Sequence, residues 1–168
     1  MAGTFFKRIS VAAIAATLAA VIAGGCTGER FQDRFKWNEI ISSITLSKRT
    51  SASPVYLDLV RVMPLEWERF YMFPPYTRIA DIQKVLGFNW GGAKKTRINE
   101  RDDITLLVFV IGQTVQDAIE QPRVAGDFSR LKPGYPYSPR EGYFEVIEEN
   151  EGGKSAFYFV EAERYPEH

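Results

Sequence analysis

Ile104-Thr105-Leu106-Leu107-Val108-Phe109-Val110-Ile111 is an almost unbroken apolar run of eight residues. A run of that length, rich in β-branched and aromatic side chains, reads as a central strand covered on both faces. Gly112-Gln113 follows and fits a two-residue hairpin with glycine at its first central position. The chain then returns through Val115 to Gln121. Val115, Ala118 and Ile119 equally allow that return to be a short helix. Just upstream, Ile79, Ile82, Val85 and Leu86 share one face of a helix, with Thr77 as its N-cap and Gly87 as a left-handed end.

Working outward, Val55 to Val62 and Trp67 to Phe73 read as strands, broken at Pro64 and stopped by Pro74-Pro75. Phe31, Phe35, Trp37, Ile40, Ile41 and Ile44 include the i, i+3, i+4, i+7 spacing of an amphipathic helix over 31–46. Ser47 to Ser53, closed by Pro54, is a loop. Phe88 to Asp103 is a polar connection, and Pro122 to Gly142 is a long loop. Tyr143 to Glu148 and Ser155 to Glu161 flank the turn Asn150-Glu151-Gly152-Gly153 as a second hairpin. The order of helix, two strands, helix and four strands predicts an α+β fold. It takes the form of a single domain over 31–168, a mostly antiparallel sheet with helices packed on one face.

The first 25 residues read differently. Lys7 and Arg8 precede an alanine-rich apolar run from Ile9 to Ile22, and Ala23-Gly24-Gly25 leads to Cys26, the only cysteine. A basic start, an apolar segment and small residues make a secretory signal, which stands apart from the fold. Small residues directly before a lone cysteine resemble the lipobox of bacterial lipoproteins, with Ala23 where leucine is usual. That resemblance implies a diacylglyceryl group on the Cys26 thiol, cleavage just before it and acylation of the new N-terminus. Two acyl chains hold a protein stably on a bilayer. Residues 26–30 then form the lipidated N-terminus and tether. The expected location is the extracytoplasmic side of the cell membrane or outer membrane. An uncleaved helix needs about 20 strongly apolar residues, more than this run offers. Ordinary cleavage, for instance after Ala23, would leave an unpaired thiol outside the cytoplasm, which is uncommon.

Composition narrows the chemistry. The signal holds two of the 21 basic residues and none of the 21 acidic ones, so 19 bases face 21 acids and the remaining net charge is near −2. No concentrated positive face points to nucleic acid. Aromatic residues are 14% of the chain, enough for a well-supplied core. With one histidine, His168, and Cys26 committed to lipid, Ser-His-Asp and Cys-His catalysis and zinc sites of the Cys/His type are excluded. Gly91-Gly92-Ala93-Lys94-Lys95 lacks the spacing of a phosphate-binding loop. No cofactor is implied, and only carboxylate catalysis or oxygen-ligand metal binding passes this filter.

The stretch Trp67-Glu68-Arg69-Phe70-Tyr71-Met72-Phe73-Pro74-Pro75-Tyr76-Thr77, then Leu86-Gly87, then Leu106-Leu107-Val108-Phe109-Val110, resembles a group of small, uncharacterised bacterial lipoproteins. The likeness covers residues 67–128 and implies a lipoprotein domain with this local order, without a catalytic assignment. A fainter likeness to SmpA/OmlA-type lipoproteins, which assist outer-membrane assembly, rests on the helix ending in Leu-Gly alone.

Candidate sites follow from residue type and spacing. Glu66 and Glu68 flank Trp67 and, in a strand, project to one face. Two carboxylates beside an aromatic platform suit glycan hydrolysis, while a solvated edge strand produces the same alternation. Asp102-Asp103 with Asn99 and Glu100 offers oxygen ligands but lacks the spacing of a calcium loop. Lys94, Lys95, Arg97 and Arg101 form a basic loop suited either to solvent or to anionic headgroups. Pro133, Pro136 and Pro139 recur with the period of polyproline II, interleaved by Tyr135 and Tyr137. Such a segment can present prolines to a partner or lie on its own domain. Trp67, Tyr71, Pro133, Pro136 and Pro139 are the candidate interaction residues. The expectation is a lipid-anchored, non-enzymatic interaction module of the cell envelope with a protein partner; the alternative is a carboxylate-dependent hydrolase of cell-wall glycan.

Overall fold

The computed structural model describes residues 27–163, with side chains described from 36 onward. The expected signal segment and the expected lipidation of Cys26 therefore lie outside the described residues. Helix α1 spans Thr27–Thr50, so residues 27–30 of the expected tether form the helix's first turn. Trp37 and Ile41 are its buried contacts, with Ile44 packed beside them.

Strand β1 is Val55–Asp58 and stops where a continuous strand to Val62 was expected. The cause is Asp58. Its Oδ1 accepts the N–H groups of Val60 and Arg61, at 3.0 and 3.3 Å, and so starts the single-turn helix α2, Leu59–Val62. Strand β2 is Arg69–Phe73 and helix α3 is Ile79–Leu86. The N-cap of α3 is Arg78 rather than Thr77, because the Thr77 hydroxyl donates backwards to the Pro74 carbonyl at 2.6 Å. Gly87 ends α3 at φ +78° as expected. Ile82 and Leu86 face the core, whereas Val85 is turned outward and 40% exposed.

Strand β3 is Ile104–Ile111 and β4 is Thr114–Pro122, joined by Gly112-Gln113; the return segment is a strand. Strands β5, Tyr143–Glu151, and β6, Lys154–Glu161, form the second hairpin, turned by Gly152 and Gly153 at φ +59° and +84°.

The architecture is α+β, and every strand pairing is antiparallel. The strands form two sheets of three, in the orders β1-β5-β6 and β2-β3-β4, where one sheet was expected. The long loop 123–142 closes one edge of each, β6 in the first sheet and β2 in the second. Asp127 N–H donates to Phe157 O at 2.8 Å and Phe159 N–H to Asp127 O at 2.9 Å along β6. Phe70 and Tyr137 exchange backbone bonds of 2.9 Å along β2. Covering an edge in this way removes a template for aggregation.

The inner faces of the two sheets enclose one core with α1. It contains Trp37, Leu57, Phe70, Leu107, Phe109, Phe128, Phe144 and Phe159. The other face of β2-β3-β4 forms a second core under α3, with Tyr71, Phe73, Ile82, Leu86, Leu106 and Val108. The helices therefore serve different cores rather than one shared face. Strand β3 contributes to both, which is why its sequence does not alternate.

Candidate functional site

A groove of about 640 Å³ opens beside α2, lined by Val60, Met63, Pro64, Leu65, Glu66, Trp67, Glu68, Ile111 and Pro139. Its back wall is built from the first core. Trp67 is 8% exposed, and its ring meets Phe109 edge-on at 5.7 Å and Phe70 at 6.5 Å. The indole also lies against the backbone of Gly142, where a Cβ would stand 2.7 Å from it. These contacts fix one edge of the indole as a rigid groove wall. Val60, 46% exposed, is an apolar side chain on the open rim.

Glu66 and Glu68 do share this groove, but as exposed residues of an irregular approach to β2 rather than of the strand itself. Glu68 is occupied structurally: its Oε2 accepts the Gly112 N–H at 2.8 Å, clamping the β3–β4 turn, and its own N–H donates to Val110 O at 2.9 Å. Arg69 Nη2 donates to the Gly112 carbonyl on the same turn. Among the described residues Glu66 has no ion pair or side-chain hydrogen bond. The rim is therefore acidic. The nearby cation Arg61 is held by Asp58 at 3.1 Å.

Of the candidate interaction residues, Trp67 and Pro139 meet in this groove. Tyr71 does not. It is 4% exposed in the second core, so the structure corrects its assignment as a contact for a partner. A strand buried on both faces presents no aromatic side to solvent, and alternation alone could not reveal that. Pro133 and Pro136 are exposed on a different stretch of the loop. Gly134 at φ +68° interrupts the polyproline helix, and its N–H donates to Met72 O at 2.9 Å. The segment lies on its own domain, and Pro139 begins a short 3₁₀ turn, Pro139–Glu141.

That turn carries a capping box. Glu141 Oε2 accepts the Ser138 N–H at 2.8 Å and its hydroxyl at 2.7 Å, and Oε1 accepts the Tyr135 hydroxyl at 2.8 Å. The Ser138 donors hold the Glu141 carboxyl below its ordinary pKa. Tyr137, 1% exposed, donates its hydroxyl to Glu161 at 2.8 Å and accepts the Lys132 N–H at 2.9 Å. Burial pushes its phenol well above the ordinary tyrosine value.

The remaining charged candidates are engaged locally. Arg101 forks onto Asp103 and holds that carboxyl low, while Arg123 Nη1 donates to Asp102 O at 3.1 Å. Arg97 pairs with Glu120 at 3.1 Å, leaving Lys94 and Lys95 as the cations of the basic loop without an ion pair among the described residues. No cluster of three or more potential metal ligands occurs among the described residues.

A second, more enclosed hollow of about 210 Å³ lies at the free side of β4, lined by Trp90, Gly92, Lys95, Thr96, Val115, Gln116, Asp117, Ala118 and Glu120. Sequence reading passed over it. The signal that marks it is Trp90 followed at once by Gly91-Gly92, since a Cβ on Gly92 would stand 2.4 Å from the indole nitrogen.

No family model, no curated protein and no solved structure matches this chain. The functional reading therefore rests on the geometry and the sequence.

Proposed function

We propose that the chain is an extracytoplasmic lipoprotein, tethered to the cell membrane or outer membrane through Cys26, whose domain docks an envelope protein in the groove beside α2. The observation that carries the docking reading is the groove itself. It is open, floored by Met63, Leu65 and the Trp67 edge, and rimmed by exposed Val60 and the carboxylates of Glu66 and Glu68. Interfaces concentrate their energy in rigid aromatic and aliphatic anchors surrounded by polar groups. A fixed indole beside aliphatic side chains meets that description. The signal segment, the lone Cys26 and the resemblance to lipoproteins support the tether.

A hydrolase would need both carboxylates free to act on a substrate, one as acid and one as base or nucleophile. Glu68 instead holds the β3–β4 turn through the Gly112 N–H, which favours the docking role.

The test is a photo-reactive residue placed at Val60 in the intact lipoprotein in its own membrane, with a matched probe at Tyr76, which is 60% exposed and lies outside the groove. A discrete adduct to one envelope protein from position 60, absent from position 76, is expected. Equal labelling from both positions, or none from either, contradicts the reading.

A further inference from the structure

We propose that the partner segment seated in the groove beside α2 is cationic, with an apolar side chain next to a lysine or arginine. The inference rests on the docking reading and names the chemistry of the partner. The lining of the groove carries two carboxylates, Glu66 and Glu68, and no cation. Both are exposed. Glu66 is unpaired among the described residues. Glu68 commits Oε2 to the Gly112 N–H at 2.8 Å, which leaves Oε1 open to a ligand. The neighbouring cations stand outside the lining. Arg61 is held by Asp58 at 3.1 Å, Arg69 donates to the Gly112 carbonyl, and Arg140 is exposed beyond Pro139.

A second feature points to a ligand independently of charge. Trp67 is 8% exposed and lines the groove, yet its indole N–H has no hydrogen-bond partner among the described residues. Buried indoles ordinarily find one, as Trp37 does on Gln121 at 2.7 Å. Among the described residues Thr105 Oγ1 is the only side-chain polar atom both sealed from solvent and unpartnered, so the Trp67 N–H reaches the surface. Phe109 and the Gly142 backbone fix the ring, and the donor cannot swing away to another residue. A main-chain carbonyl of a bound segment supplies the missing acceptor.

Together these groups fit one class of segment. Met63, Leu65, Ile111 and Pro139 offer an apolar floor on which a side chain leaves water. The indole N–H takes a carbonyl, and Glu66 with the open oxygen of Glu68 takes the ammonium or guanidinium beside it. An acidic segment or a lipid phosphate would meet two carboxylates with no cation in the lining to offset them. Rim charges act chiefly on association rate and salt dependence. The apolar anchor therefore supplies the affinity, and the carboxylates select which anchor enters. A volume of about 640 Å³ equals roughly twenty waters at about 30 Å³ each, room for more than one side chain.

NMR of the intact chain, labelled with nitrogen-15 in a zwitterionic detergent, reads the site directly, because its three tryptophans give three indole N–H resonances. Trp67→Phe identifies the one that belongs to Trp67. Three acetylated octapeptides are titrated, of alternating leucine and lysine, leucine and glutamate, and serine and lysine. The leucine–lysine peptide should move the Trp67 resonance saturably and leave that of Trp37, which is bonded to Gln121. The other two should bind at least about tenfold more weakly, one for want of charge match and the other for want of an anchor. Glu66→Lys, with circular dichroism matching the parent, should weaken the leucine–lysine peptide by roughly tenfold and flatten its salt dependence. Equal affinity for the leucine–glutamate peptide overturns the proposal, as does a Trp67 resonance unmoved by all three. The photo-adduct from position 60 separates this claim from docking itself. An adduct that keeps its yield in the Glu66→Lys chain leaves docking in place and overturns the cationic partner, whereas no adduct from the parent chain removes both.

Discussion

Leu106 and Leu107 are adjacent in sequence and both 0% exposed, yet they belong to different cores. Leu107 faces α1 and the β1-β5-β6 sheet, and Leu106 faces α3. Replacing either by alanine deletes most of a buried side chain and leaves a cavity, at a cost of about 2–5 kcal/mol. The upper half of that range applies here, since rigid strands and stacked aromatics limit collapse around the void. Domain stabilities are about 5–15 kcal/mol, so each substitution should remove a large share. For a urea dependence of about 2 kcal/mol/M, a loss of about 4 kcal/mol lowers the unfolding midpoint by roughly 2 M. The assay is urea unfolding followed by tryptophan fluorescence and circular dichroism. Large shifts of similar size in both single variants are expected. A shift below about 0.5 kcal/mol in either one, the range of surface substitutions, would show that face of β3 to be open and would refute the two-core arrangement.

Tyr137→Phe should act on the alkaline side of the stability profile. Burial raises the folded-state pKa of Tyr137, so its contribution is fully present below the unfolded value of about 10 and is lost as pH rises toward the folded value. The variant should lose about 1–3 kcal/mol at neutral pH, because the Lys132 N–H is left unpaired. Its alkaline limb should be shallower than the parent's, though Tyr143 and Tyr158 keep part of the slope; an unchanged limb would contradict the assignment. Gly142→Ala forces the Trp67 ring from a contact at 2.7 Å and should cost about 1–3 kcal/mol, read as a fall in melting temperature. Glu66→Gln combined with Glu68→Gln should leave no measurable change in turnover of purified wall polymer. A glycan hydrolase would lose about 10²–10⁴-fold with its acid–base pair, so turnover that vanishes in the double variant would reinstate the enzyme.

Much of the fold was legible because its signals are local. The eight-residue run of β3, Gly87 after α3 and Gly112 after β3 each state a conformation within a few residues. The division into two sheets was not legible, since β1 finds β5 across a long sequence separation and β2 is completed by Tyr137 from a loop. Asp58 reads as a strand residue until its carboxylate is seen capping α2. Trp67 and Tyr71 look alike in an aromatic strand. Only the packing shows that one borders a groove and the other lies under α3. Gln116 carried no sequence signal because a bulge is a property of strand pairing.

The tether is the claim on which the account turns, and the N-terminus of the membrane-extracted protein tests it most directly. Mass spectrometry of the parent should find a first residue at Cys26 carrying diacylglyceryl and an acylated amine, with the protein released only by detergent. Cys26→Ser should retain its signal or appear soluble. A Cys26→Ser protein that is cleaved normally and stays membrane-bound to the parent's extent would contradict the lipid anchor.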